Sequence, residues 1–203
     1  GALITINHPF EGNSSFRLDF QRLPFDCLEI WNGPMRESNL RAVGLWQQLL
    51  AGGQRVPICG GSDYHRDTPF IFLGGPTMCL YAQSRGKTDL LDALKRGHGF
   101  ITYTPNGPIV EMTAGEGIIG DTVSLADTSE VMLTASGLLA GDVVKVVTQK
   151  SSEAVYTSET DGRLEYEIGV AESGFVRVEI WRAFLPGLPM LPALITNPIY
   201  FIV

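Results

Sequence analysis

The hydrophobic pattern of this 203-residue chain changes period once, at Thr104-Pro105-Asn106-Gly107-Pro108. Before that turn, short apolar runs of strand type alternate with segments of helical period. After it, apolar residues recur at every second position and helical periodicity is lost. The change predicts two units: an α/β unit over 1–104 followed by an all-β unit over 105–203.

In the first unit, 2–7, 26–31, 56–59, 77–82 and 100–103 read as strands. A helix is expected from Ser38 or Asn39, either of which can cap it, to about Ala51. Leu40, Val43, Trp46 and Leu50 share one of its faces, and Gly52-Gly53 ends it. A second helix follows Thr88, with Leu90, Leu91 and Leu94 as its core face, Lys95 and Arg96 in its last turn and Gly97 as its stop. Residues 14–22 fit neither period. Strand and helix in this rhythm imply parallel strands joined by crossovers.

In the second unit, Val131, Leu133 and Ala135 fall at alternate positions. So do Leu164, Tyr166 and Ile168, and Val176, Val178 and Ile180. Asp161-Gly162 carries a hairpin signal. Seven to nine short strands in an antiparallel β-sandwich are expected.

Charge divides at the same place. Residues 1–104 hold 10 Lys+Arg against 9 Asp+Glu, and 105–203 hold 5 against 13. A net charge of -7 argues against a sequence-independent grip on nucleic acid, which requires a basic surface. No uncharged apolar run approaches a membrane span, and no basic start with an apolar stretch reads as a secretory leader. Cys27, Cys59 and Cys79, at spacings of 32 and 20, form no zinc-finger or disulfide framework. Free thiols lean toward a reducing compartment such as the cytoplasm, although localisation stays open.

All three histidines lie in the first unit. Asp63 and His65, in Gly61-Ser62-Asp63-Tyr64-His65, point the same way in an extended segment that follows a short buried strand. Their oxygen and nitrogen are ordinary ligands for zinc, manganese or iron. The alternative is a capping Asp beside a surface His. His8 ends another apolar strand, and Pro9 biases it toward extended geometry. Its alternative is a histidine packed on the core edge. Glu29, in Leu28-Glu29-Ile30-Trp31-Asn32-Gly33, could ligate a metal, orient a histidine, or form an ion pair. Asn32-Gly33 reads as a turn, and Asn32 could also touch substrate. Arg36 and Arg66 are cations able to hold an anionic substrate, or simply solvated. His98, directly after a helix, reads as structural or exposed.

His8-Pro9, Glu29-Ile30-Trp31-Asn32-Gly33 and Gly61-Ser62-Asp63-Tyr64-His65, in this order and spacing, resemble the latter half of a PHP domain. That is the polymerase and histidinol phosphatase superfamily of metal-dependent hydrolases. The CehA/McbA-like branch, in which a β-sandwich can follow, is the most similar, and Ile195-Thr196-Asn197-Pro198-Ile199-Tyr200 resembles the end of such proteins. The resemblance implies a distorted, TIM-like (β/α)7 barrel with two or three divalent metals, here partial, plus a small antiparallel β-sandwich. It implies hydrolysis of a small-molecule phosphoester or other ester by metal-activated water. His8, Asp63 and His65 match metal ligands, Glu29 matches a further site position, and Arg66 is the expected substrate contact. The His-x-His pair that opens such domains has no counterpart here, so the chain resembles the carboxyl-terminal portion of a longer protein. Alone, it is expected to bind metal weakly, hydrolyse little and self-associate through an open barrel edge. The competing reading is a non-catalytic accessory protein that binds through the sandwich.

Overall fold

The computed structural model describes residues 2–17, 23–67 and 71–203. Of the aperiodic stretch 14–22, residues 18–22 lie outside the described set. The chain divides into two compact units, Gly1–Pro105 and Asn106–Val203. No helix among the described residues is long and apolar enough to cross a membrane.

In the first unit, β1 (Thr5–Ile6), β2 (Cys27–Asn32) and β3 (Ile58–Gly61) form a parallel sheet in the order β1-β2-β3. β2 is apolar on both faces, as a central parallel strand should be, with Cys27, Leu28, Ile30 and Trp31 buried. Helix α1 (Glu37–Ala51) returns the chain from β2 to β3. Its Trp46 is fully buried and donates its indole N–H to the Val56 carbonyl at 2.8 Å.

The buried stripe of α1 is Asn39, Ala42, Trp46 and Leu50. The expected face of Leu40 and Val43 is rotated away, and Leu40 is exposed. The cause is Asn39, whose side chain clamps the end of β2: Oδ1 accepts from Asn32 N–H (3.2 Å), and Nδ2 donates to the carbonyls of Asn32 (3.0 Å) and Pro34 (3.1 Å). Neither Ser38 nor Asn39 caps the helix, which starts from Arg36 without a side-chain cap.

The expected partial (β/α)7, TIM-like barrel is not what forms. Among the described residues there are two helices and no closed barrel. β4 (Thr77–Leu80) and β5 (Gly99–Thr102) pair antiparallel, Thr77 opposite Thr102 and Leu80 opposite Gly99. A barrel repeat requires a helix that covers the sheet between parallel strands. Helix α2 (Lys87–Arg96) does not do this: it buries only Ala93, while Leu90 and Leu91 are exposed. It begins at Lys87 after Gly86 rather than at a Thr88 cap, and Gly97 ends it in the left-handed conformation (φ 73°).

The second unit holds two sheets. One is β12-β9-β6-β7, antiparallel throughout, built from β6 (Ile109–Ala114), β7 (Gly117–Ile118), β9 (Glu130–Leu138) and β12 (Gly162–Gly169). The other runs β11-β10-β13-β14, from β10 (Val143–Val147), β11 (Ser152–Thr157), β13 (Gly174–Arg182) and β14 (Leu191–Thr196). β15 (Ile199–Ile202) pairs antiparallel with the start of β13 and parallel with β8 (Thr122–Ser124). Alternate residues Val110, Met112, Val131, Leu133, Val144, Val178 and Ile180 are buried between the sheets. The Thr196 hydroxyl reaches the Met112 sulfur at 3.7 Å.

Asp161-Gly162 is not a hairpin turn. It carries the chain from β11 in one sheet to β12 in the other, because β12 finds its partner in β9 (Leu164 opposite Ala135). Asp161 instead accepts the Ala140 N–H at 2.9 Å, tying this crossing to the β9–β10 connection.

Candidate functional site

The carboxyl ends of β1, β2 and β3 lie along one edge of the parallel sheet, and each is followed by a residue with positive φ. These are His8 (31°), Gly33 (57°) and Asp63 (46°). His8 and Asp63 are the non-glycine residues with positive φ among the described residues. A side chain in that region costs about 1–2 kcal/mol, less for Asp and His, which occur there more often than most residues. Pro9 therefore does not hold His8 extended as the sequence suggested. The strand stops at Ile6 and the chain turns sharply at His8.

Glu29 lies inside β2 and is half-buried. Its Oε2 accepts the His8 backbone N–H at 2.6 Å, and its Oε1 takes a longer contact from Asn32 Nδ2 at 3.4 Å. Burial pushes the Glu29 carboxyl above the usual carboxylate range. The His8 N–H, Asn32 and the His8 side chain oppose that rise, and the nearby Asp63 charge adds to it. The Asp63 charge is the smallest of these influences on Glu29.

Asp63 and His65 are joined directly, Oδ1 to Nε2 at 3.1 Å, and both side chains are largely solvent-accessible. With Arg66 and Ile71 they line an open recess. The His8 Nδ1 atom is buried and has no hydrogen-bond partner among the described residues. Such an atom carries a desolvation cost and calls for a ligand, an ion or a water.

The four sequence-predicted ligands thus fall into two linked pairs. His8 and Glu29 meet through the His8 backbone, Asp63 and His65 meet through side chains, and charge couples Glu29 to Asp63. Among the described residues, no group of three His, Cys, Asp or Glu side chains stands close enough to hold a metal. The donors still suit a zinc, manganese or iron ion chemically: two carboxylates, an imidazole at the surface and a buried imidazole nitrogen with nothing to bind.

Arg36 stands beside this edge. A Cβ on Gly33 would lie 3.3 Å from its Nη2, and Nη1 is paired with Glu11 Oε1 at 2.7 Å. Ser38 Oγ donates to the other Glu11 oxygen at 2.7 Å. Of the residues that fix this rim, Glu11 carries no signal in the sequence and Asn39 reads there only as a possible helix cap. A polar residue in the first turn of a helix carries no signal separating a cap from a clamp. Below the site, Cys27 and Cys59 interact on neighbouring strands, and that contact together with burial raises the Cys59 thiol far above its usual range. The cysteines are free thiols.

No protein-family model matches the chain, and neither a curated protein nor a solved structure matches it.

Proposed function

We propose that this chain takes part in metal-dependent hydrolysis of a phosphoester or another ester. In this reading His8, Glu29, Asp63 and His65 supply part of the metal ligand set, and groups beyond these four complete it. One observation carries the reading: the buried His8 Nδ1, without a hydrogen-bond partner among the described residues, belongs to a turn that the half-buried Glu29 carboxylate holds. The motif resemblance to PHP-type hydrolases adds support.

When bound, a divalent metal lowers the pKa of a coordinated water and polarises the scissile oxygen. The chain's own part is positional. Glu29 accepts the His8 N–H and holds the turn that carries the imidazole. Asp63 anchors His65 at the recess. Arg66, on the same recess, offers a guanidinium to the charge that develops on a phosphoryl or carboxyl oxygen.

The test is metal titration of the purified chain with zinc and with manganese, followed calorimetrically beside His8→Ala and His65→Ala. Hydrolysis of an aryl phosphate and an aryl ester is measured in parallel. Weak binding in the parent, lost in both variants, is expected, with hydrolysis slow and metal-dependent. Binding that neither variant changes would refute the ligand assignment.

A further inference from the structure

The second unit has its own cleft, of about 500 Å³, unconnected with the chemistry above. It opens where the two sheets present their edges on the same side. β11 ends the order of one sheet and β12 ends the order of the other. Val146, Ile168 and Phe175, all buried, form its floor. One end is closed by a staple between the β10–β11 and β12–β13 connections: Lys150 pairs with Glu172 at 2.6 Å, and Gln149 Nε2 donates to the Ser173 carbonyl at 3.3 Å.

The β11 edge is unusual for an exposed strand. Glu153 stands opposite Val146, a buried residue, so its carboxylate lies on the inner face of the sheet at the mouth of the cleft. A register shift leaves Val155 without a partner on β10, and Val155 also lines the cleft. Glu167 of β12 lines the opposite lip. Among the described residues neither Glu153 nor Glu167 makes an ion pair, whereas the neighbouring Glu172 and Glu165 do. The surrounding unit holds 5 basic against 13 acidic residues.

We infer that this cleft takes an extended, basic peptide segment of a partner protein, added as a further strand on the β11 edge. An open edge offers a row of unpaired N–H and C=O groups to a new strand. Alternate residues of that strand point to one side, where the apolar floor takes them. Lysines or arginines on the incoming segment meet Glu153 and Glu167, and the acidic field of the unit raises their local concentration.

The probe is a fluorescein-labelled seven-residue peptide alternating lysine and valine, blocked at both ends. Binding is measured by anisotropy at low salt with the full chain. Controls are the glutamate–valine counterpart and a lysine–valine peptide N-methylated along one edge. The lysine peptide should bind, and Glu153→Lys with Glu167→Lys should weaken it at least tenfold while leaving circular dichroism unchanged. Glu116→Lys, in the β6–β7 turn away from the cleft, should change affinity less than twofold. N-methylation should abolish binding, and bound peptide should slow amide exchange within Ser152–Thr157. The inference is overturned by any of four results. These are absence of binding, equal binding of the acidic or N-methylated peptide, equal weakening by Glu116→Lys, or exchange protection outside β11.

Discussion

Asp142 and Arg182 form a buried ion pair with two-point geometry in the second unit, and removing one partner should cost more than any surface change. Arg182 Nε and Nη2 donate to the two Asp142 carboxylate oxygens at 2.8 and 2.6 Å, with side-chain exposures of 8% and 1%. The same guanidinium donates to the Gly137 carbonyl at 3.0 Å, and Asp142 Oδ2 also accepts the Leu139 N–H at 2.9 Å. The pair therefore fastens β13 to the connection between β9 and β10. Asp142→Ala leaves a buried guanidinium without its counter-charge, a change that costs about 3–5 kcal/mol. With a urea slope of roughly 2 kcal/mol/M, the unfolding midpoint should fall by about 2 M. The double variant Asp142→Leu with Arg182→Met removes both charges. It still orphans the Leu139 N–H and the Gly137 carbonyl, each worth about 1 kcal/mol or more. It should recover roughly half of the loss. Urea titration followed by far-UV circular dichroism measures all three chains. A single-variant shift under about 0.5 M, or a double variant no more stable than the single one, would show that the charges are not what holds this junction.

Two predictions concern the sheet edge of the first unit. The Glu29 carboxyl is raised above its ordinary value of 4.5 by burial, so the folded state holds its proton more readily than the unfolded chain. Its stabilising contribution is complete below that ordinary value and is lost as pH rises through the raised folded one. Glu29→Gln, metal-free, should therefore melt higher than the parent at pH 8, with the gap closing toward pH 4; a gap independent of pH would disprove it. Because glycine takes positive φ freely, Asp63→Gly should be more stable, metal-free, than Asp63→Ala by about 1 kcal/mol. Both should weaken zinc or manganese binding, and an Asp63→Ala chain that melts as high as Asp63→Gly would count against strain at this position.

Local signals in the sequence carried the strands of both units and the left-handed stop at Gly97, because each depends on residues close together in the chain. The failures share a different cause. The face of α1 was set by Asn39, whose partner groups on Asn32 and Pro34 lie across a turn, so a polar residue displaced Leu40 from the interior. The Asp161-Gly162 turn has the composition of a hairpin, yet strand partners are chosen by the burial of whole faces. Leu164, Tyr166 and Ile168 match Ala135, Leu133 and Val131 on β9, and β11 is left at an edge. The barrel expectation came from motif resemblance and from the strand–helix rhythm. It failed at α2, where three leucines suggested a core face and the helix instead buries only Ala93.

The left-handed residues at the sheet edge argue for function more directly than the motifs do. Three parallel strands end along one edge, and each chain end turns aside through positive φ. At Gly33 the turn uses the residue that adopts this conformation freely. At His8 and Asp63 the same turn is made with a side chain in place, at an energetic cost a glycine would avoid. Strain of that kind persists where the surrounding structure holds it, and it collects at sites where a side chain must be aimed. Here the two positions carry an imidazole whose buried Nδ1 has no partner among the described residues and a carboxylate that holds His65 at 3.1 Å. A turn needed only for chain reversal has no use for either group.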